Sequence, residues 1–191
     1  MMLTRISPPA VEPITLEETK AALAVIGNSD DDMLQRLIGA ATAAFDGADG
    51  RLARPLIEQR WRLSMERFPA GTIRLPLPPT ISVDAISYVD GAGDDQEIDP
   101  AEYTVSGLGS TDAAIISPVS RWPSGTAVTI ELTCGFGADP EHVPADIKDA
   151  LIAVVGSRYA WREAQVLATG SLSENPEVAD VIDRWRVRGF G

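Results

Sequence analysis

Cysteine and histidine are almost missing from this chain: each occurs once, as Cys134 and His142. A lone cysteine excludes an intramolecular disulfide and fits synthesis in a reducing cytoplasm. One residue of each kind also excludes a Cys/His zinc site. Any Ser–His–Asp or Cys–His catalytic system has to use His142. That histidine lies in "ADPEHVPAD", a loop just ahead of a helix, where an exposed residue is the simpler reading. Positive charge is scarce as well. Sixteen Lys and Arg face 28 Asp and Glu, for a net charge of −12. Neutralising phosphates takes clustered basic side chains, so this balance argues against a general nucleic-acid binder. No apolar run approaches the roughly 20 residues needed to span a bilayer. The start, "MMLTRISPPAVEP", lacks the apolar core of a signal peptide. The expectation is a soluble protein made in the cytosol, with no membrane partner. Neither G-x-x-x-x-G-K-[ST] nor G-x-G-x-x-G is present, so nucleotide binding has no support. "CGFGAD" follows a strand without opening a helix and reads as a loop.

What is present is ordinary for a folded domain: 191 residues, 45% hydrophobic and 23% charged. That length suits one compact domain or a small domain with an inserted lobe. Residues 1–13 hold three prolines and read as an extended arm. "TLEE" is a capping box, Thr15 accepting from the N–H of Glu18, and predicts a helix over about 15–26. Ser29 is the expected cap of a second helix, with Asp30, Asp31 and Asp32 at the positive end of its dipole. Its Leu34, Leu37, Ile38, Ala41 and Phe45 recur at helical spacing, and its Ala and Gly content suits close approach of another helix.

From about residue 56 the period falls to two. "IEQRWRLSMERF" sets Trp61, Leu63 and Met65 on one face and Arg60, Arg62, Ser64 and Glu66 on the other. Further strands follow in "TIRLPLPP", "ISVDAISYV", "QEID", "EYTVSG", "AAIIS" and "TAVTIELTCGFG", with "DGAGDD" as a hairpin connection. In the last strand Val128, Ile130, Leu132 and Cys134 share a face. Helices return after Pro144, with Ile147, Leu151, Val154 and Tyr159 as an apolar stripe beside Ala150 and Val155. "ATGSLSEN" is a linker, and Asn175 and Pro176 open a last helix carrying Val178, Val181, Ile182 and Trp185. This order predicts an α+β fold in which the terminal helices pack as a small bundle and a mostly antiparallel β-lobe is inserted. The expected units are 1–55 (arm and two helices), 56–137 (β-lobe), 138–183 (C-terminal helices) and 184–191 (tail).

Chemistry is hard to find. "SDDDM" is explained as helix capping, and "DGAGDDQEID" lacks the spacing of an EF-hand loop. Glu131 and Asp139 are not positioned as a carboxylate pair by anything in the sequence. Trp61, Trp122, Trp161 and Trp185 invite a sugar-stacking reading, but Trp61 and Trp185 fall on apolar stripes. Trp122, in "SRWPSG", is the one expected to be exposed. No catalytic residue, cofactor or metal is assigned.

The ordered string of segments resembles the head–tail connector proteins of tailed phages, also called adaptor or head-completion proteins, with relatives in prophages and gene-transfer agents. The matching segments are "ITLEETKAAL", "DDDMLQRLIGAATAAFDGADGR", "PLIEQRWRLSMERFP", "IRLPLPPTISVDAISYVD", "EYTV", "RWP", "VTIELTCGFG" and "VPADIKDALIAVVGSRYAWREA", across about 14–165. The resemblance implies a structural, non-enzymatic protein at the neck of a particle, in a ring of about twelve copies. Its implied partners are the portal protein, a tail-side stopper or tail terminator, and further copies of itself. DNA passes through without sequence-specific binding, and an acidic wall repels phosphate. Alternatives are another neck or tail-completion component, a ligand-binding β-module, and a hydrolase built on His142.

The closing strip "RWRVRGFG" runs against the acidic whole. One reading is a helix end whose arginines complement the dipole. The other is a docking tail: Gly189 and Gly191 end any helix, so 187–191 are expected to leave the domain. Arg184, Arg186 and Arg188 would pair with portal carboxylates, with Trp185 and Phe190 as apolar anchors and Val187 in the same docking strip. Arg60, Arg62 and Trp122 are the candidates for inter-subunit or tail-side contact.

Overall fold

The computed structural model describes residues 1–164 and 175–187; the Trp161 side chain, most of the "ATGSLSEN" linker, Arg188 and Phe190 lie outside the described residues. In the first helix, α1 (Leu16–Ala22), the Thr15 hydroxyl accepts from the Glu18 N–H at 3.1 Å, as the capping box requires. Helix α2 (Asp31–Phe45) starts later than Ser29 predicts, with Asp30 at the cap position and no side-chain cap bond. The Asp30 carboxylate accepts instead from the Tyr159 hydroxyl at 2.6 Å, so a tertiary partner displaces the local cap. Asp31 pairs with Lys20 at 2.5 Å, which ties α1 to α2.

Leu34, Ile38, Ala41 and Phe45 are fully buried, whereas Leu37 is half-buried. Helix α3 (Ala145–Ala164) buries Ile147, Ala150, Leu151 and Val155, and the expected Val154 and Tyr159 flank that stripe instead of centring it. Its Gly156 admits Leu23, whose Cδ2 lies 2.7 Å from where a Cβ would stand. Helix α4 (Pro176–Trp185) opens on Asn175, whose side chain accepts from the Glu177 N–H at 3.0 Å, and buries Val178 and Ile182. Residues of α2, α3 and α4, together with Ile14, Leu52, Leu56 and Ile57, form one apolar cluster.

A second cluster lies among the strands, around Trp61, Leu63, Leu75, Leu77, Ile86, Ile116, Ile130 and Leu132. The strands are β1 (Met2–Ser7), β2 (Gln59–Met65), β3 (Ile73–Arg74), β4 (Thr80–Val89), β5 (Asp95–Glu97), β6 (Tyr103–Ser106), β7 (Ile115–Pro118) and β8 (Thr126–Cys134). They build a sheet of order β1-β2-β8-β4-β5 and a smaller one of order β3-β7-β6, with every pairing antiparallel. The fold is α+β. The period-two reading of β2 and β8 holds: Trp61, Leu63, Val128, Ile130, Leu132 and Cys134 are buried, while Arg60 and Arg62 face outward.

The N-terminal segment departs from expectation. Its prolines are Pro8, Pro9 and Pro13, and the proline-free stretch before them is a strand, with Leu3 opposite Leu63 and Arg5 opposite Trp61. Residues 2–7 are therefore an edge of the large sheet, not a free arm.

The two clusters meet at residues 46–58 and 135–137. Asp46 accepts from the Leu56 N–H at 2.7 Å and from Gln59 Nε2 at 3.0 and 3.1 Å. The Phe136 N–H donates to Leu56 O, and the Glu58 N–H to Gly137 O. Gly135 has φ +133°, and a Cβ there would stand 2.6 Å from the Ile57 backbone. The glycine of "CGFG" thus lets the chain leaving the sheet lie against the chain entering it.

Candidate functional site

The end of α4 is held to the body of the domain more firmly than a tail would be. Arg184 Nη1 and Trp185 Nε1 both donate to Asp146 Oδ2, at 2.9 and 2.8 Å. Asp146 sits in the first turn of α3, so one carboxylate joins the two helices and meets the favourable end of the α3 dipole. The Trp185 ring stands edge-on to Phe136, centroids 5.6 Å apart, and the Arg54 guanidinium lies 5.5 Å from its centre. The Arg186 N–H closes the helix on Ile182 O at 2.8 Å, and the Val187 N–H reaches Leu52 O at 3.0 Å. The chain is therefore bound to the domain through Val187, which corrects the expectation that it departs there. Of the strip, Arg184 and Arg186 are exposed, Trp185 and Val187 are half-buried, and Arg188 and Phe190 lie outside the described residues.

Beside this helix end opens a groove of about 640 Å³, bordered by Arg54, Arg74, Arg184 and Arg186 with Asp112 and Asp183. Arg54 is only 5% exposed. Its Nη1 makes a long 3.5 Å bond to Thr111 O, and its Nε has no hydrogen-bond partner among the described residues. Burial lowers its pKa, and the Asp112 charge works in the opposite direction. Sequence reading missed Arg54, Arg74 and Asp146. Arg54 and Asp146 are separated by more than ninety residues from one another in the chain, and only the packing of α4 across the seam brings them to the same indole.

The other candidate contact residues separate into two environments. Arg60 and Arg62 project from the outer face of the large sheet and share Glu131, at 2.9 Å to Oε2 and 2.6 Å to Oε1. Arg60 Nε also lies 3.5 Å from Asp84 Oδ2, which accepts from Thr133 Oγ1 at 2.9 Å. Two guanidinium groups thus meet two carboxylates, and the face is locally neutral. Trp122 does not join them. It stacks on Phe68 with centroids 4.9 Å apart and rings 8° from parallel, and its Nε1 donates to Gly71 O at 2.7 Å. The indole expected to be exposed is half-buried against the β-cluster.

The residues with nucleophile or acid–base potential are dispersed. His142 is exposed, its Nδ1 3.3 Å from Asp139 O. Cys134 is fully buried, and desolvation pushes its thiol up to about 12. Glu131 is engaged with the arginines just described. Among the described residues no group of three or more His, Cys, Asp or Glu is placed to hold a metal ion. None of the described helices is long and apolar enough to cross a membrane.

The chain matches no protein-family model and no curated protein. Solved structures do match it, from end to end. A chain in the neck of the empty gene transfer agent (GTA) particle, computed with C6 symmetry, is 25% identical at TM-score 0.76, covering 100% of this chain and 98% of that one. A chain in the virion of the native GTA particle is 26% identical at TM-score 0.76, with the same coverage. A chain in the neck of the native GTA particle, computed with C12 symmetry, shares the fold at TM-score 0.69 and 23% identity. The resemblance to the head–tail connector family read from the sequence is matched by these neighbours.

Proposed function

We propose that this chain is a structural head–tail connector, an adaptor in the neck of a tailed phage or phage-like particle. It assembles as a ring against the portal, extends the DNA channel and offers the platform for the tail-side protein. The observation that carries this reading is the end-to-end likeness, at 25–26% identity, to chains of GTA necks and virions. Two of the neighbouring necks were computed with sixfold and twelvefold symmetry, which supports a ring. The dispersal of His142, Cys134 and Glu131 agrees with a non-enzymatic role. The net charge of −12 suits a conduit that lets DNA slide without sticking.

Portal docking is assigned to the segment that starts at Arg188, with Phe190 as its apolar anchor, because Arg184, Trp185 and Val187 are engaged within the chain. Deleting the gene and imaging the particles tests the reading. DNA-filled or leaking heads without tails are expected, and normal tailed particles would sink it. In the same assay, truncation after Val187 is expected to release the ring from the portal while leaving the fold intact.

A further inference from the structure

The groove beside α4 concentrates charge that the rest of the molecule disperses. Four of the sixteen cationic residues border it, against two carboxylates, in a chain of net charge −12. Two of its cations, Arg54 and Arg186, are under-used. Arg54 is buried with one poor hydrogen bond and an unpartnered Nε, and neither Arg54 nor Arg186 has a carboxylate within 4 Å among the described residues. A buried guanidinium keeps its charge, because arginine is not deprotonated in proteins. Leaving it incompletely satisfied is costly, and a carboxylate is the group that satisfies it with least strain. The Trp185 ring holds Arg54 in place, so part of the ordering cost is met before anything docks.

We infer that this groove receives the acidic tip of the β4–β5 hairpin, loop residues 90–94 with Asp95 at the start of β5, of a second copy of the chain. The inference rests on the ring reading above. Identical subunits of this charge repel one another, so a close ring contact needs a cationic face set against an acidic one. The loop has the complementary chemistry. Asp94 and Asp95 are exposed, and their carboxylates make no hydrogen bond or ion pair among the described residues. The loop is also shaped in advance. The Asp90 carboxylate accepts from the N–H groups of Ala92 and Asp94, at 2.8 and 3.1 Å, and from Gln96 Nε2 at 2.9 Å. A loop on one copy entering a groove on the next is a head-to-tail contact, the kind that closes into a ring.

Cysteine cross-linking in assembled, neck-bearing particles tests this. Ala92→Cys and Thr111→Cys leave every charge in place, and both positions are exposed, with Thr111 on the groove. The natural Cys134 stays silent, being buried with a thiol pushed up to about 12. A short bifunctional thiol reagent should give a ladder of cross-linked multiples of this chain with the double variant, and no ladder with either single variant. Added to that pair, Asp95→Arg or Arg186→Asp alone should reduce the ladder at least tenfold, and both together should restore it. No ladder, coupling of position 111 to a different protein, or a ladder indifferent to the charge changes would each overturn the inference. A failure of the connector reading shows separately, as tailed particles after gene deletion.

Discussion

The seam between the helical and β clusters and the outer face of the large sheet use the same residue types in opposite ways. On the sheet face, Arg60 and Arg62 are each about half exposed and are balanced by Glu131 and Asp84 across neighbouring strands. At the seam, Arg54 is buried beneath an indole, Asp46 is buried beside Gln59, and Arg184 and Trp185 share one carboxylate. Exposed ion pairs contribute about 0–1 kcal/mol each, whereas breaking a buried polar arrangement costs several times more. Arginine number alone therefore says little about where a partner binds. What matters is whether the chain's own carboxylates already satisfy the guanidinium groups. They do on the sheet face and, among the described residues, do not for Arg54 and Arg186 in the groove.

The largest expected effect is at the seam. Trp185→Ala removes the Asp146 hydrogen bond, the edge contact with Phe136 and the cover over Arg54 together. Full truncation of a large buried aromatic costs about 3–5 kcal/mol, so this half-buried one is expected to cost about 2 kcal/mol. Urea denaturation of the full chain checks it. A loss below about 0.5 kcal/mol would make the indole a surface anchor and erase the difference between the two regions.

A smaller effect at the same seam is a pH dependence. Asp46 has its pKa raised above 3.8, chiefly by burial, against the lowering influence of the Leu56 and Gln59 bonds and the Arg5 charge. The folded state then holds a proton that the unfolded state has already released. Stability falls as pH rises from about 3.8 through the folded value, and is flat above it. Asp46→Asn should abolish that slope, so the melting temperature of the variant gains on the parent across this window. A parent that gains on the variant as pH rises would mean the carboxylate is net stabilised by its partners.

Much of this contrast was legible in the sequence, and the missing part has a physical cause. Alternation from Gln59 to Met65 announced β2 and put Arg60 and Arg62 on its outer face, because strand periodicity is local. The stripe Val178–Ile182–Trp185 announced α4 in the same way. The Ser29 cap does not form: Asp30 takes the cap position, and its carboxylate accepts from Tyr159, far along the chain, in place of a local N–H. The strand at residues 2–7 went unread because its burial pattern lacks alternation, and it owes its place to pairing with β2. Trp122 looked exposed because its neighbours are Arg121, Pro123 and Ser124, yet Phe68 supplies a stacking partner that no local pattern reveals. The groove was invisible for the same reason, since its arginines come from three separate stretches and only tertiary packing gathers them.

The smallest expected effect is on the sheet face, where it is also the most discriminating. Among the described residues Arg62 forms an ion pair with Glu131 and no other carboxylate, and Glu131 keeps Arg60 when Arg62 is removed. Arg62→Ala should therefore cost no more than about 0.5 kcal/mol, and less in high salt. Glu131→Ala strips the partner from Arg62 and leaves Arg60 only the longer contact to Asp84. It turns the neutral face cationic with a comparably small change in stability. If that face serves only to keep the sheet soluble, particles carrying either variant should attach tails normally. Loss of tails from Arg62→Ala particles, with the fold unchanged in a denaturation curve, would show that a partner reads this face despite its internal balance. The separation between satisfied and unsatisfied arginines would then no longer tell the two surfaces apart.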